Sequence, residues 1–343
     1  MDYIFLKACR GEAVPYTPVW LMRQAGRYMR QYQEVREKVN FMTLCKTPEL
    51  AAKVTLQPVD VLSVDAAILF SDILTLVEAI GLEVSFAQNG GPVIGNPVRN
   101  YDSIDALRVP EPEESLAYVM DTIRLLRPQL EGRVPLIGFS GAPFTLATYM
   151  IEGGSSKNFI HTKTMMYQEP ELFKSLIDKI ARSVTLYLEA QIRSGAQAVQ
   201  LFDTWAGVLS PSDYGQFVLP SVKSIISALK RLDVPVIYFA NNCSGFLEQI
   251  KTCGADVLSV DWRISLSDAI NRVGQSFVVQ GNLDPCALFA PLSVMELHVR
   301  QILQDGNQAK GHIFNLGHGI LPQTPLDNVK ALVDMVHRLS ERL

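Results

Sequence analysis

The chain contains eight short apolar runs, each bounded by turn residues and closed by polar ones. They read TPVWLMR, AAILFSD, VPLIGFSGAP, AQAVQLFDT, VPVIYFAN, ADVLSVDW, SFVVQGNLD and GHIFNLGHG. Apolar residues are continuous in these runs rather than alternating, which is typical of strands buried on both faces of a parallel sheet. The sequence therefore predicts buried parallel strands at these eight places.

Helical patterns lie between the runs. The clearest spans residues 169–194, with Pro170 near its start, apolar residues at three- and four-residue spacing, and Gly195 at its end. Shorter candidates span residues 48–64, 112–129, 211–231, 244–253, 265–273, 292–304 and 325–342. Strands that alternate with helices predict a parallel α/β sheet, and eight such units favour a closed (β/α)8 TIM barrel over a doubly wound open sheet.

One segment interrupts this alternation. The stretch FAQNGGPVIGNPVRNYDSIDALRVPEPEE is rich in Gly, Pro and Asn and is too long for an ordinary connection. It predicts a Gly/Pro-rich insertion over one end of the barrel, near residues 85–112. Because the sequence shows no internal repeat, low-complexity tract or linker, we expect a single domain over residues 1–343.

Charge and cysteine content narrow the function classes. A net charge of −4 gives no general affinity for nucleic acid or an anionic membrane, so any cationic site must be local. No apolar stretch reaches about 18 uninterrupted residues, and the first residues lack the pattern of a secretory signal. The five cysteines are scattered and form no C-x-x-C pair, which favours a reduced, cytoplasmic location.

Polar residues end every predicted strand. In a (β/α)8 barrel the carboxyl ends of the strands carry the active site, although any one polar residue there can instead cap the next helix. The pattern indicates an active site without naming its reaction. The residues at these ends are Arg23, Asp72, Ser140, Asp203 with Thr204, Asn241, Asp261, Asn282 with Asp284, and His318.

Four arginines follow the first run: Arg23, Arg27, Arg30 and Arg36. They are either a charged strip on a solvated helix or, as Gly26 and the preceding strand favour, part of a loop that turns over the barrel mouth. Several guanidiniums together indicate a polyanionic ligand. Since the chain has no phosphate-binding loop, a molecule with many carboxylates is at least as plausible as a phosphate.

Asp72 and His318 are the remaining polar groups with the clearest chemistry. Desolvation at a strand end raises the pKa of Asp72, whereas nearby arginines lower that pKa and keep the carboxylate ionised. An ionised carboxylate among arginines suits a cationic or N–H-bearing centre of the ligand; the alternative is a helix cap or a structural ion pair. His318 lies between two glycines, which let the backbone approach a ligand closely.

Metal-dependent and covalent chemistry find little support in the sequence. No two histidines have metal-ligand spacing, and Cys243 and Cys253 have no histidine close by in the sequence. There is no G-x-S-x-G motif and no obvious desolvated lysine. We therefore expect no metal and no covalent intermediate.

Six ordered stretches carry a family resemblance: MRQAGRY, FSDIL, GAPFTLATYMIEGGSSK, FDTWAG, QGNLDP and NLGHG. They resemble the uroporphyrinogen decarboxylase family, and the similarity runs over essentially the whole chain. The resemblance implies a single, somewhat irregular (β/α)8 barrel, usually a homodimer. It also implies cofactor-independent removal of the four acetate carboxylates of uroporphyrinogen III, giving coproporphyrinogen III and four CO2 in tetrapyrrole (haem) biosynthesis.

The resemblance also implies roles for particular residues. Asp72 is similar to the family's central aspartate, which hydrogen-bonds the pyrrole N–H groups and stabilises the transition state, and Arg23 or Arg27 would bind the reacting acetate. Arg30 replaces a proline found in many members; we favour a solvated charge for Arg30 over an extra anion contact. The residues expected to contact the substrate are Arg23, Gln24, Ala25, Gly26, Arg27, Arg36, Asp72, Tyr149, Phe202, Thr204 and His318.

Two of these assignments compete with ordinary structural roles. Tyr149 sits about two turns into a helix that starts near Pro143, where a tyrosine is usually part of the core, and Thr204 stands where a hydroxyl often caps the next helix.

Two other function classes also compete. A zinc-dependent corrinoid methyltransferase would need a histidine where Asn241 stands, and a non-catalytic tetrapyrrole carrier would need the arginines but not Asp72.

Overall fold

Seven of the eight predicted strands form one parallel sheet in the computed structural model, which describes residues 3–86 and 91–341. The order of the strands in this sheet is β1-β4-β5-β6-β7-β8-β9, so neighbours in space follow one another along the chain. A separate antiparallel pair joins β2 and β3. The strands are β1 (Ala67–Ile68), β2 (Val84–Phe86), β3 (Pro92–Ile94), β4 (Leu136–Gly141), β5 (Ala198–Asp203), β6 (Val236–Ala240), β7 (Val257–Ser259), β8 (Val278–Gln280) and β9 (Gly311–Ile313).

The first predicted run contributes a bridge in place of a strand. Val19 forms an isolated parallel bridge with Phe314, and the amide of Phe314 donates to the carbonyl of Pro18 at 2.8 Å. On the other side, the amide of Asp65 donates to the carbonyl of Val19 at 2.8 Å. Hydrogen bonds thus run from the β9 edge of the sheet, through residues 18–20, to the residues that precede β1.

The side chain of Asp65 strengthens this junction. Its carboxylate accepts the amide of Val19 at 2.7 Å and the hydroxyl of Tyr16 at 3.1 Å, and it lies 2.8 Å from Nε2 of His337. One carboxylate therefore connects the first run, the approach to β1 and the last helix of the structure.

Helices separate the strands, as the alternation predicts. The longest helix spans Pro170–Ser194 and ends at Gly195, where the sequence pattern ends it. The helices are α1 (Ile4–Arg10), α2 (Arg30–Arg36), α3 (Phe41–Lys46), α4 (Pro48–Leu62), α5 (Leu74–Ile80), α6 (Tyr101–Asp105), α7 (Pro112–Ser115), α8 (Ala117–Leu130), α9 (Pro143–Glu152), α10 (Ile160–Gln168), α11 (Pro170–Ser194), α12 (Pro211–Asp213), α13 (Leu219–Leu229), α14 (Leu247–Ile250), α15 (Leu266–Val273), α16 (Leu292–Gly306) and α17 (Leu326–Ser340).

Three predicted helices differ from the observed ones in detail. The segment 112–129 is divided at Leu116, whose φ of −127° and ψ of 25° interrupt the helix. The segment 211–231 contains a π-helical turn, Tyr214–Val218, and ends in the 3-10 turn Lys230–Leu232. The segment 244–253 begins as a 3-10 turn, Ser244–Phe246. Apolar spacing marks the buried face of a helix but does not specify these hydrogen-bonding patterns.

The predicted insertion contains β2, β3 and α6 in its described part; residues 87–90 lie outside the described residues. Strands β2 and β3 pair with Val84 opposite Ile94. The amide of Ile94 donates to the carbonyl of Gly153 after α9, and Gly154 packs so closely that an added Cβ would lie 2.7 Å from the carbonyl oxygen of Pro92. The insertion is thus attached to the segment that follows α9.

The inner face of the sheet holds its own apolar cluster, which includes Trp20, Ile137, Ile237 and Ile313. Helix α1 belongs to this cluster through Phe5 and covers the amino ends of the strands, because its residue Ala8 lies against Gly311 at the start of β9. The opposite, carboxyl ends remain available for a site. Among the helices within residues 3–86 and 91–341, none combines the length and apolar character of a membrane span.

We expect Asp65→Ala to lower the free energy of unfolding by about 2–3 kcal/mol, because it leaves the partly buried amide of Val19 without its acceptor. The control is Asp60→Ala, which removes a surface ion pair with Arg133 and should cost no more than about 1 kcal/mol. Urea unfolding followed by circular dichroism measures both. Equal losses in the two variants would show that Asp65 does not stabilise the junction.

Candidate active site

A cavity of about 570 Å³ opens where the carboxyl ends of the strands converge. All the residues expected to contact a substrate line it. The structure thus brings together residues from the beginning, middle and end of the chain. They are Arg23, Gln24, Ala25, Gly26, Arg27, Arg36, Asp72, Tyr149, Phe202, Thr204 and His318.

Arg23 and Arg27 lie in a loop between the first run and α2, as predicted, whereas Arg30 and Arg36 belong to helix α2. The loop is firmly anchored. The side chain of Gln24 is buried, accepts the amide of Leu21 at 3.1 Å and donates to the carbonyl of Ala66 at 3.1 Å. The hydroxyl of Tyr28 donates to the carbonyl of Gln24 at 2.6 Å. Gln24 therefore lines the cavity mainly as a support of the loop that carries the arginines.

Arg23 has an unusual backbone conformation and a close neighbour. Its φ is +61°, in the left-handed region that side chains rarely adopt. A Cβ added to Gly319 would lie 2.4 Å from Cδ of Arg23, so only glycine lets the His318 loop approach this side chain. The first and last loops of the cavity therefore pack directly against each other.

The other arginines of this segment divide between the cavity and the surface. Arg27 and Arg36 line the cavity. Arg36 donates to the carbonyl of Val39 and lies 5.8 Å from the ring centre of Phe41. Arg30 faces solvent, with a side chain 87% exposed, and pairs with Glu34 on the same helix. The placement of Arg30 agrees with a solvated charge.

Asp72 follows β1 and faces the cavity, where its carboxylate is half-buried. Desolvation raises the pKa of Asp72 above its ordinary value, while the amide of Leu74, which donates to Oδ1 at 2.8 Å, and the charge of Arg23 act in the opposite direction. Desolvation outweighs these two groups, so the net shift of this pKa is upward. Asp72 thus both accepts the amide of Leu74, the first residue of α5, and faces the cavity.

His318 is neutral at physiological pH. Desolvation, followed by the charges of Arg23 and Arg263, lowers its pKa to about 4, and the charge of Asp261 only partly opposes this. The imidazole lies against the rings of Phe239 and Trp262, with ring centres 6.0 and 6.4 Å apart. It can therefore serve as a neutral hydrogen-bond partner in the cavity.

Tyr149 and Thr204 lie on the middle strands' side of the cavity. Burial raises the pKa of Tyr149, whose ring contacts that of Trp205 with centres 6.2 Å apart. The amide of Trp205 donates to Oγ1 of Thr145 at 3.1 Å. Tyr149 thus belongs to the cavity wall rather than to the core alone, and both residues present hydroxyl-bearing side chains to the cavity.

Two groups of aromatic rings complete the wall, and only Phe202 among them was expected from the sequence. Phe202 contacts Phe139 and Phe239 edge to face, with ring centres 5.6 and 6.1 Å apart. The register of the strands sets Phe202 of β5 beside Phe239 of β6, a pairing for which the sequence gives no signal. The second group consists of Tyr32, Phe41, Phe70 and Phe86.

Comparison with known proteins shows the family to which the chain belongs. The family model described as uroporphyrinogen decarboxylase (URO-D) matches residues 2–339. The chain belongs to the uroporphyrinogen decarboxylase family. It is 56% identical over 340 residues to the uroporphyrinogen decarboxylase of Carboxydothermus hydrogenoformans, covering 99% of this chain and 97% of that one. Identity to the enzyme of that name from Geobacter metallireducens is 54% over 342 residues, with both chains fully covered.

Similarity to solved structures supports an α/β fold, and the curled seven-stranded parallel sheet is consistent with a TIM-barrel-like fold. A methyltransferase from Methanosarcina mazei is similar with a TM-score of 0.82 and 23% identity, over 97% of both chains. A B12-independent methionine synthase from Shewanella sp. W3-18-1 is similar with a TM-score of 0.58 and 10% identity, over 88% of this chain and 91% of that one. At such identities the likeness concerns the fold, not the reaction.

Some of the polar residues at the ends of the strands do not line the cavity. Six of the strand-end residues are absent from the described lining of the cavity and bond within the protein instead. Asp203, for example, is fully buried and accepts the hydroxyls of Thr145 and Tyr238 at 2.7 and 2.8 Å. Asp284 caps the turn after β8. The six are Ser140, Asp203, Asn241, Asp261, Asn282 and Asp284.

We expect Arg23→Gln to raise the pKa of His318 from about 4 towards its ordinary value, because the substitution removes the largest charge that opposes protonation. The wild-type pKa lies below that of the unfolded chain, so the associated stability is lost as the pH falls from about 6.5 to about 4. NMR titration of the imidazole measures the shift. An unchanged pKa in the folded variant would mean that Arg23 does not act on His318.

Proposed function

We propose that this chain catalyses the cofactor-independent decarboxylation of the four acetate side chains of uroporphyrinogen III. The products are coproporphyrinogen III and four CO2, and the enzyme class is carboxy-lyase. The observation that carries the proposal is a single cavity in which Asp72 lies near Arg23 and between aromatic walls, in a chain of the uroporphyrinogen decarboxylase family.

The cavity suits a substrate with an apolar ring system and carboxylate arms. Aromatic rings provide apolar surface for pyrroles, and the guanidiniums of Arg23, Arg27 and Arg36 can each bind a carboxylate with two parallel hydrogen bonds. Phe202 supplies an apolar neighbour of the macrocycle. Ala25 and Gly26, which carry no long side chains, let the ligand approach the loop between the arginines.

Asp72 acts in its ionised form in this proposal. Its carboxylate accepts hydrogen bonds from pyrrole N–H groups and stabilises the positive charge that develops on a protonated pyrrole. Arg23 favours the ionised form, against the desolvation that raises this pKa. The carboxylate is already oriented by the amide of Leu74, so little reorganisation is needed when the charge develops.

Each decarboxylation consumes one proton and needs no electron carrier. A proton adds to a pyrrole ring carbon, and the ring becomes an electron sink. The bond between the acetate methylene and its carboxylate then breaks, its electrons neutralise the ring, and CO2 leaves. The methylene carbon then accepts a proton and the ring carbon loses the one it gained, which completes the methyl group, restores the pyrrole and leaves a net uptake of one proton. Arg23 or Arg27 holds the reacting acetate, while Tyr149, Thr204 and His318 hold the substrate.

The proposed fold is a closed (β/α)8 barrel that forms one domain over residues 1–343. The hydrogen bonds of residues 18–20 to both edges of the seven-stranded sheet support an eighth position that completes the ring. The further proposal of a homodimer rests on family resemblance alone, and the proposal of a cytoplasmic enzyme rests on family resemblance and on the cysteines. The free state of all five cysteines, four of them buried, suits a reducing compartment.

We expect Asp72→Asn to reduce kcat about 10²–10³-fold, because the neutral amide cannot stabilise the protonated pyrrole as a carboxylate does. The measurement is CO2 release from anaerobically prepared uroporphyrinogen, with circular dichroism as a check of folding. Asp60→Asn, a change at an exposed carboxylate, is the control and should keep wild-type turnover. Near-normal turnover of a folded Asp72→Asn variant would rule out this role; an inactive wild type that still binds the tetrapyrrole would indicate a carrier.

A second expectation separates the cavity arginines from the surface one. Arg27→Gln should raise KM at least about tenfold through loss of a charge-assisted contact, whereas Arg30→Gln should leave KM within about twofold of wild type. Steady-state kinetics at constant ionic strength measure both variants. Equal effects would show that the two arginines contribute only to a general positive field.

A further inference from the structure

The cavity lining alone is short of positive charge for its proposed ligand. Among the described residues that line it, three guanidiniums stand against the carboxylate of Asp72, and the low pKa of His318 leaves that imidazole neutral. The substrate of the proposed reaction carries eight carboxylates. Further cations are therefore needed at the edge of the cavity, where carboxylate arms leave the ring.

Arg263 lies beside the cavity, where Asn241 and Trp262 connect it to the lining residues Thr204 and His318. Its Nη1 donates to Oδ1 of Asn241 at 3.0 Å, and the side-chain amide of Asn241 reaches the carbonyl of Thr204 at 3.4 Å. On the other side, the guanidinium stacks 4.0 Å from the ring centre of Trp262, the ring that also contacts His318. The side chain of Arg263 thus lies directly behind Thr204 and His318.

The guanidinium is held in place but still accessible. Nη1 lies 3.3 Å from the carboxylate of Asp261, which is fully buried, while the side chain of Arg263 is 41% exposed. Towards the described residues, the side-chain hydrogen bonds of Arg263 all start from Nη1. The remaining N–H groups of the guanidinium are available to a ligand. Orienting the guanidinium costs little entropy on binding, because stacking and two acceptors already fix it.

The positive charge of Arg263 reaches into the site despite its pairing with Asp261. Its effect on the pKa of His318 is larger than the opposite effect of Asp261. Arg263 therefore contributes positive charge beside His318, which favours an anionic group of the ligand there.

The position of Arg263 in the ring of strands indicates which part of the ligand it meets. Asp72 follows β1 and Arg263 follows β7; in the proposed ring of eight positions, completed at Val19, these two strands are diametrically opposite. A macrocycle centred on Asp72 thus presents its carboxylate arms outwards, towards the rim, with one of them on the side of Arg263.

We propose that Arg263 is a further substrate-binding residue, whose guanidinium binds a carboxylate arm of the tetrapyrrole at the cavity rim opposite Asp72. This assignment rests on the proposed function. The arm is one that does not react in the complex concerned, because the reacting acetate lies near Asp72. Arg263 therefore contributes to affinity and orientation rather than to the chemical step.

The test compares Arg263→Gln with Arg263→Lys and with Arg300→Gln. Arg300 is a matched control because it is an exposed arginine that pairs with Glu296 on the same helix, α16. We expect Arg263→Gln to raise KM about tenfold with kcat nearly unchanged, Arg263→Lys to recover part of the loss through its charge, and Arg300→Gln to resemble wild type. Thermal unfolding checks that the variants remain folded.

Equilibrium binding makes the test independent of turnover. Anaerobic titration with uroporphyrinogen and with coproporphyrinogen distinguishes the two kinds of arm, because the product keeps its propionates and has lost its acetates. Weaker binding of both ligands by Arg263→Gln assigns a propionate, and weaker binding of uroporphyrinogen alone assigns an acetate. Unchanged affinity, or a fall in kcat at constant KM, would overturn the proposal.

Failure of the proposed function would look different from failure of this inference. If the wild type binds the tetrapyrrole without releasing CO2, the catalytic proposal fails and the titration still decides the role of Arg263. If the wild type binds neither ligand, both proposals fail. If the wild type is active and Arg263→Gln is folded and indistinguishable from it, only the role of Arg263 is wrong.

Discussion

The structure depends on how the two edges of its curled sheet are joined. Residues 18–20 bond to Phe314 on one side and to Asp65 on the other, and the carboxylate of Asp65 adds a bond to the amide of Val19. The chain leaves this junction directly into the loop that carries Arg23 and Arg27. The hydrogen bonds that connect the edges of the sheet therefore also position the loop that carries these guanidiniums at the cavity.

Burial and charge act on the two central titratable groups in a consistent way. Desolvation favours the uncharged form of each group, so it raises the pKa of Asp72 and lowers that of His318. The charge of Arg23 has a different effect on each group: it stabilises the carboxylate of Asp72 and disfavours the imidazolium form of His318. A single guanidinium thus helps to keep one group anionic and the other neutral, a combination that suits a ligand with both N–H donors and carboxylates.

Much of this arrangement could be predicted from the sequence, for physical reasons. Continuous apolar runs reveal strands buried on both faces, and the parallel direction of those strands brings their polar ends, such as Asp72, Thr204 and His318, to one side. The sequence could not show which ends turn inwards. Asp203 and Asp284 follow strands in the same way but bond within the protein, and only the register brings Phe239 beside Phe202. The proposed role of Arg263 depends on contacts with Asn241 and Trp262 that no sequence spacing encodes.

The close packing of Arg23 against Gly319 has a consequence for biosynthesis of the protein. These two residues come from opposite ends of the chain, and the loop of each restricts the space of the other. On the ribosome, the arginine loop is synthesised early, whereas the loop that contains Gly319 is added only when nearly the whole chain has been made. An incomplete chain can therefore form strands and helices without forming the mouth of the cavity, so a nascent or truncated fragment lacks the cavity in its final shape.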